Sequence, residues 1–312
     1  STLRQSFEEG IRPSECEYCW EAEESSLKTH RIQEQHKGLR QIHLRLNNVC
    51  NFKCRMCNPK FSSTWEIENR KHGFFEHDYL IQKDVFDIDP DLLDFIVQAI
   101  KKGGLRFINI SGGEPLITDA NYRLLTHLID NDATSVTLAY STNLSKLDYK
   151  GINLMSLWNK FDKVLLEASC DGWGTAVEYS RTGFERRTFF KNLLRAHKYV
   201  NRINCVVNIY SIWSLPYVDV MCDKLNLKPI YAPCFLPEWL NPQHLDREDK
   251  DELEKLYEPY PRLVEVFNNY IDRDKVGQGK MMCDYNLMLD EYRGTDFFHT
   301  FPQYRKYYDT SC

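Results

Sequence analysis

The chain has 312 residues, 42% hydrophobic and 13% aromatic, which is ample for a buried core and excludes disorder throughout. A formal charge of −5 with both signs dispersed supplies no global basic field for holding nucleic acid non-specifically. The first residues are polar and acidic (Glu8, Glu9, Glu21, Glu23, Glu24), and no apolar run approaches membrane-spanning length. These features predict a soluble, cytoplasmic protein with no membrane partner.

Residues 1–40 show no regular period, but they carry a close cysteine pair, Cys16-Glu17-Tyr18-Cys19-Trp20. From residue 41, short apolar runs alternate with helical patterns, the sequence sign of repeated β/α units and a parallel sheet. Strands are predicted over residues 41–47, 105–110, 135–141, 163–169, 204–210 and 229–233. Helices are predicted over 90–102, 121–131, 153–160, 185–200 and 215–225. The helix at 90 opens on a proline and spaces its apolar residues three and four apart. Six strands with intervening helices make an α/β fold, a partial (β/α)6 TIM-like barrel over 41–235. Residues 1–40 and 236–312 are then N- and C-terminal extensions. The C-terminal extension is predicted helical over 246–257 and 261–270, with an aromatic stretch at 297–302 that packs on the barrel.

Eleven cysteines, an odd number in a long chain, argue against a disulfide-stapled secreted fold. Five fall in two tight groups; a scattered cysteine is usually a small buried apolar residue. The decisive group is Cys50-Asn51-Phe52-Lys53-Cys54-Arg55-Met56-Cys57, just after the first predicted strand. Three thiolates spaced four and three residues apart can wrap one small cluster from a single loop. On a [4Fe-4S] cube they leave one iron without a protein ligand. That open iron can chelate the amino and carboxylate groups of S-adenosylmethionine (SAM). A structural zinc site would want a fourth ligand in paired short spacings, and no second pair lies just downstream.

With Gly112-Gly113-Glu114-Pro115 at the end of the second predicted strand, the region 40–235 resembles the radical SAM superfamily. The CxxxCxxC loop is that family's signature, and the resemblance makes Gly112, Gly113, Glu114 and Pro115 the turn that receives the SAM amino group. Further matches sit at later strand ends, where ligands bind in α/β barrels. Ser141 and Asn143 resemble a ribose-contacting segment. Ser169-Cys170-Asp171-Gly172 resembles a Ser-x-Asp-Gly that contacts ribose and carboxylate, and Arg181 resembles an arginine aimed at the carboxylate. Met56 stands where relatives commonly carry an aromatic residue near the adenine, and its polarisable side chain can still cover a purine face. Ser211 stands where many carry asparagine. Glu167, Asn208 and Tyr210 are the substrate-side candidates; for Glu167 the competing reading is an ordinary pair with a neighbouring lysine or arginine.

The Cys16–Cys19 pair resembles, in the general arrangement, the SPASM/twitch group, whose members add auxiliary [4Fe-4S] clusters outside the barrel. Cys234, Cys283 and Cys312 are candidates to complete such a site. An auxiliary cluster, a zinc knuckle and a redox-inert pair all fit the spacing.

The resemblance implies an enzyme that reductively cleaves SAM and abstracts hydrogen from a C–H bond. It further implies an external flavodoxin- or ferredoxin-like electron donor. The substrate would be a peptide side chain, a nucleotide or a polar small molecule. The roughly 40 residues before the first strand favour a small molecule, a nucleotide or a leader recognised through a partner protein. The rival class, a non-catalytic iron–sulfur or zinc-binding sensor or interaction protein, explains the cysteines but not the Gly-Gly-Glu-Pro turn.

Overall fold

Six runs rich in aliphatic and β-branched residues form strands and pair in chain order. They are β1 (Gln41–Arg45), β2 (Phe107–Ser111), β3 (Thr137–Thr142), β4 (Lys163–Ser169), β5 (Val200–Val207) and β6 (Lys228–Pro233). Every neighbouring pair is parallel, and β1 and β6 are the edges, so this is an open six-stranded α/β sheet. The computed structural model describes residues 39–74, 88–273 and 277–309. The chain divides into two compact units, Ser1–Arg40 and Gln41–Cys312, so the C-terminal extension shares a unit with the sheet. Cys16, Cys19 and Cys312 lie outside the described residues.

Parallel neighbours need crossovers, and helices supply them. These are α1 (Ser63–His72) and α2 (Pro90–Lys101) before β2, α3 (Asp119–Asp130) before β3 and α4 (Leu154–Trp158) before β4. Then come α5 (Gly174–Ser180) and α6 (Arg186–Arg195) before β5, and α7 (Leu215–Lys224) before β6. Strand alternation sends Ile108, Ile110, Leu138, Tyr140, Leu166, Ala168 and Ile203 to one buried face. There they form one core with Ile96 and Ile100 of α2, Leu124 and Leu128 of α3 and Leu193 of α6. The opposite face carries Asn109, Ser111, Ser141, Glu167, Ser169 and Asn204, all half-buried.

The helices after the sheet are α8 (Arg247–Tyr257), α9 (Pro261–Val266), α10 (Gly279–Arg293), α11 (Phe297–Thr300) and α12 (Arg305–Asp309), with a π-helical turn over Phe267–Ile271. They build a second core in which Leu253, Tyr257, Leu289, Phe297, Phe301 and Tyr304 meet Val207 and Tyr210 from the strand ends. The aromatic stretch packs there as expected, with Phe301 5.5 Å from Tyr179 and 5.7 Å from Tyr210 between ring centroids.

Two local differences from the sequence reading have identifiable causes. Helix α6 ends at Arg195 and β5 runs from Val200 to Val207, so Asn208 and Tyr210 lie beyond the strand rather than on its face. Asn208 stops the strand with its own side chain, whose Oδ1 accepts from the amides of Tyr210 (2.9 Å) and Ser211 (3.2 Å). Helix α1 was not expected, because Trp65 and Ile67 are its only large apolar residues and no stripe forms. Its ends are nonetheless well marked. Ser62 caps the Trp65 amide, Glu66 sits in the first turn, and Gly73 closes it with a left-handed φ of 70°.

Leu166 is fully buried in the central strand β4. Leu166→Ala is expected to cost about 2–5 kcal/mol. Urea unfolding followed by circular dichroism and by tryptophan fluorescence should show one shared, lowered midpoint, because the sheet and the C-terminal helices belong to one unit.

Candidate active site

The chain leaves β1 and turns into the loop bearing Cys50, Cys54 and Cys57, which has little regular pairing of its own. Lys53 and Cys54 form a two-residue antiparallel ladder with Arg181 and Thr182, which sets Cys54 opposite Arg181. Helix α1 and its cap supply several further bonds. The Cys50 amide donates to Ser63 Oγ (3.1 Å), and the hydroxyls of Ser62 (2.6 Å) and Thr64 (2.8 Å) donate to the Phe52 carbonyl. Trp65 Nε1 donates to the Cys54 carbonyl (2.9 Å), which also accepts from the Cys57 amide (2.9 Å).

The Gly-Gly-Glu-Pro turn at the end of β2 lies directly against this loop. The Gly113 amide donates to Asn47 O (3.0 Å) and the Glu114 amide to Val49 O (2.7 Å). A Cβ on Gly112 would stand 2.5 Å from Asn47 O, and one on Gly113 would stand 2.2 Å from Val49 O. Both glycines are therefore required by protein backbone, the stretch that leads into the cysteine loop. The Glu114 carboxylate is fully enclosed. It accepts from Thr142 Oγ1 (2.7 Å), the Asn143 amide (2.6 Å) and the Leu116 amide (3.1 Å). Burial pushes it up to about 7 despite those bonds. Pro115 begins a short 3₁₀ turn, Pro115–Ile117.

At the end of β4, Asp171 grips Arg181 through both oxygens, at 2.7 Å to Nε and 2.8 Å to Nη2, and also accepts from the Val206 amide (2.8 Å). The third guanidinium nitrogen, Nη1, points at Cys54 Sγ, 3.9 Å away. Burial raises all three thiols: Cys50 and Cys57 to about 12, and Cys54 also upward, against the lowering influence of Arg181. As bare thiols these groups stay protonated at neutral pH, and ligation to a cation is what would make thiolates of them.

Among the described residues, no three or more His, Cys, Asp or Glu side chains converge to hold a single metal ion. A four-iron cube instead takes its ligands at separate corners. The donor set fits that group: three half-buried free thiols on one loop, with a guanidinium beside the middle one.

The other expected residues distribute unevenly. Met56, Ser141 and Ser169 are half-buried at the same strand-end edge. Asn143 is buried and engages the cysteine loop, its Nδ2 donating to Asn51 Oδ1 (3.0 Å). Glu167 lies on the sheet face that the helices leave uncovered, 3.2 Å from Arg202 Nη1 and accepting from Asn204 Nδ2 (3.2 Å). Asn208 and Tyr210 are buried, and the Tyr210 hydroxyl donates to Asn286 Oδ1 (2.8 Å) inside the second core. Cys234 and Cys283 are buried there too, and burial pushes both up to about 12.

Sequence reasoning missed Arg55, Trp65, Asn51 and Thr142, which hold the loop and the turn. Helix-cap signals flank Trp65, but nothing local marks Arg55, whose side-chain partners lie more than 100 residues away.

No protein-family model and no curated protein matches the chain. Among solved structures it is similar to Streptococcus suis SuiB bound to the precursor peptide SuiA. The identity is 16% over 73% of this chain and 47% of that one, with a TM-score of 0.49. SuiB bound to S-adenosylmethionine gives 16% identity over 73% and 46%, with a TM-score of 0.47. TYW1 with a lysine-pyruvate adduct bound gives 12% over 71% and 74%, with a TM-score of 0.38. The chain spans about half the length of the SuiB chains it matches. No helix among the described residues is long and apolar enough to cross a membrane.

Asp171→Ala strands the Arg181 guanidinium without its buried partner and is expected to cost about 3–5 kcal/mol. Gly113→Ala forces a methyl group against Val49 O and is expected to cost about 1–3 kcal/mol. Urea titration of each variant against the unaltered chain measures both.

Proposed function

We propose that the chain is a radical SAM enzyme in which Cys50, Cys54 and Cys57 hold a [4Fe-4S] cluster. The supporting observation is a convergence at the C-terminal ends of one parallel sheet. There the cysteine loop, the Gly-Gly-Glu-Pro turn and the Asp171–Arg181 pair meet at one edge, where open α/β sheets bind ligands. Held by Cys50, Cys54 and Cys57, such a cluster would supply the single electron for reductive cleavage of SAM and so for hydrogen abstraction from a substrate C–H bond.

The chain's own residues have distinct tasks in this reading. Arg181 keeps positive charge beside Cys54 and offsets part of the charge that thiolates bring into a half-buried site. The backbone of Gly112, Gly113 and Glu114 receives the SAM amino group. Asp171 holds Arg181 toward the carboxylate, and Ser141, Asn143 and Ser169 line the ribose. Met56 covers the adenine face. Glu167 pairs with Arg202, the ordinary reading for it, and takes part in substrate binding only where that pair opens. The substrate is a peptide side chain, a nucleotide or a polar small molecule, and the electron comes from a flavodoxin- or ferredoxin-like donor. Cys16 and Cys19 supply two of the ligands of a second, auxiliary cluster of the SPASM/twitch kind.

Anaerobic reconstitution with iron and sulfide, then dithionite and SAM, tests this. About four irons per chain are expected for the first cluster and about eight if the Cys16–Cys19 pair holds another. 5′-Deoxyadenosine should form, and Cys54→Ala should reduce it to background. An intact cluster that binds no SAM by titration would overturn the enzyme and leave an iron–sulfur sensor in its place.

A further inference from the structure

Arg55, between the second and third cysteines, is among the largest fully buried side chains of the protein. Each of its polar atoms is engaged by residues remote in sequence. Its amide donates to Ser180 O (2.8 Å), and its carbonyl accepts from Tyr285 Oη (2.6 Å). Nε donates to Tyr179 O (3.2 Å). Nη1 donates to Asn286 O (3.3 Å) and Oδ1 (3.1 Å). Nη2 donates to Asp290 Oδ1 (2.5 Å) and Thr295 Oγ1 (2.8 Å). The guanidinium also stacks 3.7 Å from the Tyr179 ring centre.

We propose that Arg55 is the positioning residue of the cysteine loop: by tying the segment between Cys54 and Cys57 to α10, it fixes where those two thiols can ligate. This rests on the cluster assignment above. A short loop that changes direction at each cysteine has too few local bonds to hold three donors at fixed separations. Metal sites depend on outer contacts for that orientation. Here the contact is a planar five-donor fork whose acceptors come from α5, α10 and the turn after it, a set a lysine cannot replace. The C-terminal extension grips the loop at this residue and at Lys53, whose carbonyl accepts from Arg293 Nη1 (2.9 Å). Asp290 also balances the guanidinium charge close to the cluster ligands, so the pair bears on electron affinity as well as position.

The experiment compares Arg55→Met, Arg55→Lys and Asp290→Asn with Leu253→Ala, a fully buried core change in α8. The apo melting temperature of each is measured first, and the full chain is then reconstituted anaerobically. Both Arg55 variants are expected to retain at most about half the iron of the unaltered chain, with altered electron paramagnetic resonance of the reduced cluster. Leu253→Ala should keep its iron at an equal or larger loss of melting temperature. Asp290→Asn, which leaves the Arg55 charge unbalanced, should move the midpoint potential upward.

Arg55 variants with unaltered iron, spectrum and potential would overturn the proposal. So would Leu253→Ala losing iron to the same degree. If the unaltered chain takes up no iron, the function proposed above fails instead, and alkylation of the apo thiols decides the role of Arg55. In that case Cys54 and Cys57 should react about tenfold faster in Arg55→Lys, and unchanged rates would overturn the proposal.

Discussion

Backbone that leaves a sheet to wrap several ligands around one point still has to satisfy its N–H and C=O groups, and the loop from Cys50 to Cys57 does so almost wholly with outside help. Helix α1 contributes Ser63, Thr64 and Trp65, and its cap contributes Ser62. The ladder strand at Arg181–Thr182 contributes two residues of pairing, and Tyr285 of α10 covers the Arg55 carbonyl. The glycines at the end of β2 follow from the same constraint. They let a neighbouring turn donate to Asn47 and Val49 at a distance no side chain would permit. The site is therefore rigid in proportion to the number of separate elements that meet on it.

Charge is arranged around the loop with the same economy. Three guanidinium–carboxylate pairs surround it: Arg181 with Asp171, Arg55 with Asp290, and Arg293 with Glu68, the last at 2.6 Å. The side chains of Arg55 and Arg293 are wholly buried. Buried ion pairs of this kind are seldom worth more than apolar packing, so stability alone does not account for three of them. Their geometry does more. Asp290 and Arg293 are three apart on α10 and so share a face, where the acid meets a base from the cysteine loop and the base meets an acid from α1. Sliding α10 by one turn would place like charges together or leave buried charges unpaired, so the two pairs fix its register.

The six strands and most of the helices between them were legible because each buries one face, and that burial writes a period into the sequence. Ile108 and Ile110, or Val164, Leu166 and Ala168, alternate with more exposed neighbours in the way a one-sided strand requires. Helix α1 was not legible by that route, since it buries Trp65, Glu68 and Asn69 and so carries no apolar stripe. The end of β5 was misjudged because Asn208 and Tyr210 continue the alternation by chance, while the side chain of Asn208 ends the strand. At the site, the cysteine spacing and the glycine pair are local patterns and stood out. The role of Arg55 is not local at all, because it is spread over residues 179, 180, 285, 286, 290 and 295.

That distribution has a thermodynamic consequence for the chain as a whole. Whatever binds the cysteine loop in its folded geometry, and not in the unfolded chain, stabilises everything that geometry depends on. Through Arg55 and Arg293 the dependence includes α10. Linkage is reciprocal, so the contacts that hold α10 against the loop raise its affinity for a ligand by the same free energy that the ligand adds to those contacts. Helix α10 is thus one thermodynamic system with the loop, a relation that neither cysteine spacing nor strand pattern records.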